Sequence, residues 1–270
     1  MSVKLHVLGC GGSLGIPSAM NRFGNCNPNN PQNYRSRTSA WVAFNGKHFL
    51  IDTSPDLRTQ LLREKLAGTR PDAVFYTHTH ADHCHGIDDL RAYYWPDEKR
   101  IPIYAHQSHL NELEERFGYM FKGVGDQTLY KPMLDPHSIS PGRHSIAGEE
   151  IEVIEMPHGN MISYGYRFGP VAWCTDFKTV PAEGLAQLRG IKVWFVAVAD
   201  WSVPHPSHAV LTEVLELCEE LGNPRTYLIH LNPRHDYAEL DAATPAHMTP
   251  AHDGLAVEVE LGEKTDEKQF

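Results

Sequence analysis

The sequence has no run approaching the ~18 consecutive apolar residues of a membrane-spanning helix, so none is expected. It has no Cys-x-x-Cys pair. Cys10, Cys26, Cys84, Cys174 and Cys218 are odd in number and widely spaced, which argues against a disulfide framework or a thiolate zinc knuckle. It also lacks positive charge. Lys and Arg number 24 against 34 Asp and Glu, a formal net charge of −10, so nucleic acid is not the expected partner. There is no internal repeat and no low-complexity tract. Residues 1–13 carry one Lys and a short apolar run ending in glycines, not the long apolar stretch of a signal peptide. A cytoplasmic location is the expectation. With 270 residues, 41% apolar and 21% charged, the chain is too apolar for disorder and fits one large domain over 1–270.

What is abundant is histidine: 17 residues, several in tight clusters. Imidazole is the commonest metal ligand and the commonest acid or base near neutrality. Composition therefore already points at a metal site.

Residues 4–8 alternate as a strand does, and Gly9-Cys10-Gly11-Gly12-Ser13 breaks it. Residues 21–39 are too rich in Asn and Pro for regular structure. Strands at 40–44 and 47–52 flank Asn45-Gly46, a strong hairpin dipeptide. Ser54 is predicted to cap a helix with Pro55 first and Leu57, Leu61, Leu62 and Leu66 along its apolar stripe. A short strand at 73–76 runs into a histidine cluster. Over 110–148 the pattern weakens; the segment reads as an insertion or lid, with 117–121 as its apolar face and a place for a homodimer contact. Strand signals return at 151–156, 163–168, 171–174 and 193–198. Ser207 is predicted to cap a helix carrying Leu211, Val214, Leu215, Cys218 and Leu221 on one face, with Gly222 as its stop. Strands at 226–229 and 255–260 follow. Two groups of strands with helices interspersed suit two packed sheets covered by helices.

The decisive segment is Thr77-His78-Thr79-His80-Ala81-Asp82-His83, directly after a predicted strand. His78 and His80 can converge on one ion where the strand opens into a loop. Asp82 and His83, one turn later, can face a second. Such nitrogen and oxygen ligands suit zinc and similar ions, and a hydrolytic site keeps one position open for water. Further ligands are available at strand ends: His158 after 151–156, Asp176 after 171–174 and His230 after 226–229.

His78-x-His80-x-Asp82-His83, then His158, Asp176 and His230 in that order, resembles the metallo-β-lactamase superfamily of dinuclear hydrolases. Asp52, in Leu50-Ile51-Asp52-Thr53, matches its first motif, a structural acid near the site. The resemblance implies an αββα sandwich of the α/β class, with two mixed sheets flanked by helices and the ligands on loops at one edge. It implies that His78, His80 and His158 hold one ion, that Asp82, His83 and His230 hold another, and that Asp176 bridges them. Leu8-Gly9-Cys10-Gly11-Gly12-Ser13-x-Gly15-x-Pro17 and Arg35-x-Arg37-x-Ser39 are similar to the phosphodiesterase branch acting on phosphoribosyl 1,2-cyclic phosphate. So are Ile229-His230-Leu231-Asn232, Asp236-Tyr237 and Asp253-Gly254-Leu255. That branch carries a cysteine cluster and a histidine for an extra structural zinc. Here only Cys26 and, in the histidine's place, Pro233 are present, so no structural zinc is expected.

Two ions about 4 Å apart make hydroxide at neutral pH and clamp both oxygens of an in-line displacement at phosphorus. In Pro204-His205-Pro206-Ser207-His208, at the predicted helix start, the branch resemblance favours His208 as general acid or phosphate contact, with His205 second. Asp82 stands with them as a catalytic candidate. Asp88 and Asp89 are candidates to orient ligand imidazoles, His85 to line the pocket, and Arg35, Arg37 and Arg234 to contact phosphate. The expected function is a metal-dependent phosphodiesterase acting on a small, cyclic phosphodiester such as phosphoribosyl 1,2-cyclic phosphate, with two divalent ions, Zn or Mn. The rivals are a lactonase or thioesterase of the same superfamily and a tRNase Z-like nuclease.

Overall fold

The structure, a computed structural model, describes residues 1–124 and 131–261. Its strands are β1 (Ser2–Gly9), β2 (Ser39–Phe44), β3 (Lys47–Ile51), β4 (Ala73–Phe75), β5 (Ile101–Ala105), β6 (Leu134–Ser138), β7 (Gly142–Ile146), β8 (Glu149–His158), β9 (Met161–Phe168), β10 (Val171–Cys174), β11 (Val193–Ala197), β12 (Arg225–Ile229), β13 (Met248–Pro250) and β14 (Ala256–Glu260). They form two seven-stranded mixed sheets, ordered β14-β1-β2-β3-β4-β5-β6 and β13-β12-β11-β10-β9-β8-β7. The helices are α1 (Leu57–Arg63), α2 (Ala81–Cys84), α3 (Arg91–Tyr94), α4 (Gln107–Arg116), α5 (Gly118–Phe121), α6 (Ala182–Leu188), α7 (Leu211–Glu220) and α8 (Tyr237–Ala243). Among the described residues no helix is long and apolar enough to cross a membrane.

The layering follows from side chains that alternate along strands buried on both faces. Phe49 and Ile51 of β3, Val153 of β8, Trp173 of β10 and Phe195 of β11 point between the sheets into one central core. Their neighbours Leu50, Ile154, Ala172 and Trp194 point outward into two further cores. Helices α1, α4 and α5 cover the outer face of the first sheet, and α6, α7 and α8 that of the second. The result is the αββα sandwich. At the Asn45-Gly46 turn both residues have positive φ, 49° and 81°, as a two-residue hairpin requires.

Two expectations are corrected. Helix α1 begins at Leu57, with Asp56 as its N-cap residue. Ser54 is occupied otherwise, since its hydroxyl donates to Gln60 Oε1 at 2.9 Å. Helix α7 begins at Leu211 rather than after Ser207. The Glu213 carboxylate accepts the Val210 N–H at 3.0 Å, so residues 204–208 are loop and not a helix start. The described part of 110–148 is largely built into the sandwich, while Phe117 stands beside His85. It supplies edge strands β6 and β7, and Met120 and Phe121 are buried in the core under the first sheet. Residues 125–130 of that segment lie outside the described residues.

Strands β3 and β4 are parallel, as are β10, β11 and β12. Strand β8 runs antiparallel to β9, and β9 antiparallel to β10, so the C-terminal end of β8 lies at the same edge of its sheet as that of β10. The loops that leave these ends gather at one rim, the usual place for a site in such sheets.

Candidate metal centre

Backbone kinks at the strand ends aim the site's side chains. Asp52 after β3, Asp176 after β10 and His230 after β12 have φ of 60°, 49° and 54°. Non-glycine residues rarely adopt this left-handed region, and it is commonly reserved for functional positions. His78 to His83 leave β4 and wind into α2, and His158 ends β8.

All seven predicted ligands converge. Donor atoms of His78, His80, His158 and Asp176 lie within 4.8 Å of one another, as do those of Asp82, His83 and His230. Asp176 stands between the two groups. One of its oxygens is 3.6 Å from His78 Nε2, 3.9 Å from His158 Nε2 and 3.5 Å from His83 Nε2. Its other oxygen is 3.3 Å from His230 Nε2, which is also 3.3 Å from Asp82 Oδ2.

The ring tautomers are set from behind. Asp52 Oδ2 accepts from His83 Nδ1 at 2.8 Å and from the Thr77 hydroxyl at 2.9 Å. That hydroxyl, having donated its proton, accepts from His78 Nδ1 at 3.0 Å. The Ser207 carbonyl holds His158 Nδ1 at 2.8 Å. With Nδ1 engaged from behind, each of these rings aims its Nε2 at the cluster, the arrangement by which ligating histidines are oriented.

The charges agree. Burial pulls the His78 and His80 imidazoles below their ordinary value, leaving both neutral and able to ligate. Burial opposes ionisation of Asp82 and Asp176, but the surrounding imidazoles, His83 and His230 foremost, hold both carboxyls well below the usual range. Burial also opposes charge on His83, yet Asp176, Asp82 and Asp52 outweigh it and push that imidazole well up. His83 Nε2 is buried with no hydrogen-bond partner among the described residues. A buried, unpartnered nitrogen between two carboxylates is a place for a cation. The donor set of imidazole nitrogens and carboxylate oxygens fits a divalent metal.

A family model described as the Beta-lactamase superfamily domain matches residues 47–231, which hold all seven of these residues. This chain belongs to the β-lactamase superfamily. A solved structure described as a new diphosphatase from the PhnP family aligns with a TM-score of 0.86 at 34% identity, over 97% of this chain and 98% of that one. The chain thus falls in the PhnP-like branch of that superfamily. A Porphyromonas gingivalis protein named octanoyltransferase is 31% identical over 261 residues, 94% of this chain and 51% of that protein. A Phocaeicola vulgatus ribonuclease Z is 26% identical over 161 residues, 57% of this chain and 45% of the relative. The chain spans about half the length of these two curated relatives. The family implies divalent metal ions, and the two donor groups of this chain suit them.

The other predicted residues divide. The His208 ring lies over the cluster, 4.6 Å from His158 and 5.7 Å from His230 between centroids. Its donor atom groups with those of Asp176 and His230, and burial pushes its pKa down to about 4. His205 is exposed, 4.8 Å beyond His208. His85 meets the Phe117 ring at the mouth of the site. Asp88 and Asp89 orient no ligand: Asp88 bonds Tyr119 and Arg91 on the surface, and Asp52 does the orienting instead. The three arginines are structural. Arg35 is buried on the His235 carbonyl, Arg37 pairs with Asp56 at 2.6 Å, and Arg234 pairs with Asp200 at 2.7 Å. Gly12 packs against the His230 ring, where a Cβ would come within 3.6 Å.

Sequence reasoning missed Thr77, the Ser207 carbonyl, and a brace from α4. Glu112 bonds the Thr79 hydroxyl, and Arg116 donates to the Thr79 carbonyl at 2.5 Å, fixing the residue between two ligands. Thr77 adjoins the cluster and was open to notice. The Glu112–Arg116 pair has helical spacing but nothing local that names its target.

Proposed function

We propose that this hydrolase cleaves a small cyclic phosphodiester such as phosphoribosyl 1,2-cyclic phosphate, using two divalent ions, Zn or Mn. The observation that carries the reading is the position of Asp176 between two complete donor groups, with the His208 ring above them. His78, His80 and His158 would hold one ion and Asp82, His83 and His230 the other, with Asp176 placed between the two donor groups. When bound, the ions supply Lewis acidity toward the phosphoryl oxygens and a nucleophilic water at neutral pH.

The chain's own residues do the rest. Asp52 and the Ser207 carbonyl keep the imidazoles pointed at the ions. His208 is neutral at pH 7 in the free protein, because burial disfavours its charge. An anionic phosphate beside it raises that affinity for a proton, so the ring takes one up with the substrate and delivers it to the leaving oxygen. His205 stands behind it as the route to solvent. Phosphorus chemistry is favoured over acyl transfer by two likenesses, a diphosphatase across nearly the whole chain and ribonuclease Z across part of it. The octanoyltransferase name belongs to a protein of which this chain covers 51%.

Hydrolysis assays test the reading, by phosphorus NMR for the phosphate esters, proton NMR for the lactone and gel analysis for RNA, with protein reconstituted separately with Zn and Mn. Phosphoribosyl 1,2-cyclic phosphate is compared with an aryl phosphodiester, a lactone and a precursor tRNA. Rapid opening of the cyclic phosphate supports it. Turnover of the lactone alone means acyl chemistry, and cleavage of the RNA alone means a nuclease, the reading that the net charge of −10 disfavours.

A further inference from the structure

Residues 199–209 join β11 to α7 and carry both His205 and His208. Their two ends are tied together. Ala199 donates its N–H to the Ala209 carbonyl at 2.9 Å, and Leu211 donates to the Asp200 carbonyl at 2.9 Å. Between these ties the chain runs out as a compact loop whose tip, residues 202–206, is exposed. Yet the His208 ring is held 5.7 Å from that of His230 and within 17° of parallel to it. Contacts from outside the loop set that position.

One of them is the Ser207 carbonyl on His158 Nδ1. The others reach residues 232–235, which follow His230 out of β12. Asp200 Oδ2 accepts from Arg234 Nη1 at 2.7 Å, while its other oxygen accepts the Trp201 N–H at 2.8 Å. The Asn232 side chain donates to the Ala199 carbonyl and accepts the Arg234 N–H at 2.8 Å. The Trp201 ring meets the His235 ring edgewise, 5.6 Å between centroids. Asp200 is buried and Arg234 reaches it from solvent. His208 and His230 thus stand on two segments that are fastened to each other beside the donor groups.

Building on the phosphodiesterase reading, in which His208 supplies the proton, we propose that Asp200 and Arg234 are positioning residues for that proton transfer. The pair acts through the loop. It latches 199–209 onto the segment leaving β12 and so keeps the His208 ring where a leaving oxygen takes up its proton. An ion pair open to water adds little to stability, but a shift of about 1 Å in a reacting group costs up to about 100-fold in rate. Releasing the latch therefore leaves the sandwich standing and moves the proton donor.

Two measurements on metal-loaded protein test this. The first compares methyl phenyl phosphate with methyl p-nitrophenyl phosphate, which differ in how much the leaving oxygen needs a proton. In Arg234→Ala and in Asp200→Asn, kcat on the phenyl ester is expected to fall about 3- to 30-fold. KM, metal content and turnover of the nitrophenyl ester should stay near wild type. Arg234→Lys should restore part of the loss, and the double variant should be no slower than the slower single one, because both break one contact. Equal losses on the two esters, or additive losses in the double variant, overturn the proposal. The second measurement follows amide hydrogen exchange over 199–209 by mass spectrometry. Exchange there is expected to quicken about 10-fold in Arg234→Ala, with peptides from β8 and β12 unchanged. Wild-type exchange in the variant overturns the latch whatever the enzyme hydrolyses. A wild type that cleaves no phosphodiester would sink the functional reading, while the exchange data still decide whether the pair holds the loop.

Discussion

Asp52 Oδ2 lies 2.8 Å from His83 Nδ1, and both residues are fully buried. Burial raises the Asp52 carboxyl, against the pull of His83 and two hydrogen bonds from Thr77. The pair sits behind the metal centre, and through the Thr77 hydroxyl the same carboxylate also orients His78, in the other donor group. One acid thus sets a ring on each side of the site. Asp52→Asn is expected to fold but to lose metal affinity by about 10- to 100-fold, the usual consequence of removing such a partner. Chelator competition measures it, and wild-type affinity in the variant would contradict this role.

Asp176 is shared between both donor groups, so its loss should be felt twice. Asp176→Ala is expected to retain less than one metal ion per chain after dialysis and to lose turnover with it. Metal analysis beside an activity assay is the check. A variant that keeps both ions would show that the carboxylate is not shared.

His208 contacts the cluster without belonging to either donor group of the two ions. His208→Ala should therefore keep its metal while kcat on the phosphodiester falls by about 10²- to 10⁴-fold, the span of general acid catalysis. Near-normal turnover in a metal-replete variant would remove His208 from the proton path and turn attention to His205.

His235 provides a pH test away from the centre. It is fully buried, neither ring nitrogen has a hydrogen-bond partner among the described residues, and burial pushes its pKa down to about 4. The unfolded chain binds the proton near pH 6.5 and the folded chain only near 4. Stability is therefore complete above pH 6.5 and is lost as pH falls toward 4, by at most about 1.4 kcal/mol per pH unit from this residue. Urea unfolding of metal-free protein at pH 7.5 and 5.5 should show that loss, and His235→Phe should lessen it. An identical pH dependence in the variant would assign the loss to other groups.

Much of this architecture was readable one segment at a time. The Asn45-Gly46 hairpin, the strand and cluster at 73–83, and the apolar face of α7 are local patterns, and local sterics and periodicity write them into consecutive residues. The candidate donor residues too were legible, since metal chemistry restricts the residue types and His78, Asp176 and His230 stand just past strand ends. What was not legible depends on partners far along the chain. Strands β6 and β7 carry half-exposed edge patterns with little apolar signal, and they become strands because β5 and β8 offer unpaired backbone groups beside them. Helix starts moved when Ser54 found Gln60 and Val210 found Glu213. Asp88, near the histidines in sequence, went to the surface, while Asp52, 31 residues from His83, took the orienting role. The choice among equivalent carboxylates, and the grip of Arg116 on Thr79, were settled by which side chains the packed sheets bring within hydrogen-bond reach, because that short-range energy exists only once the sandwich has formed.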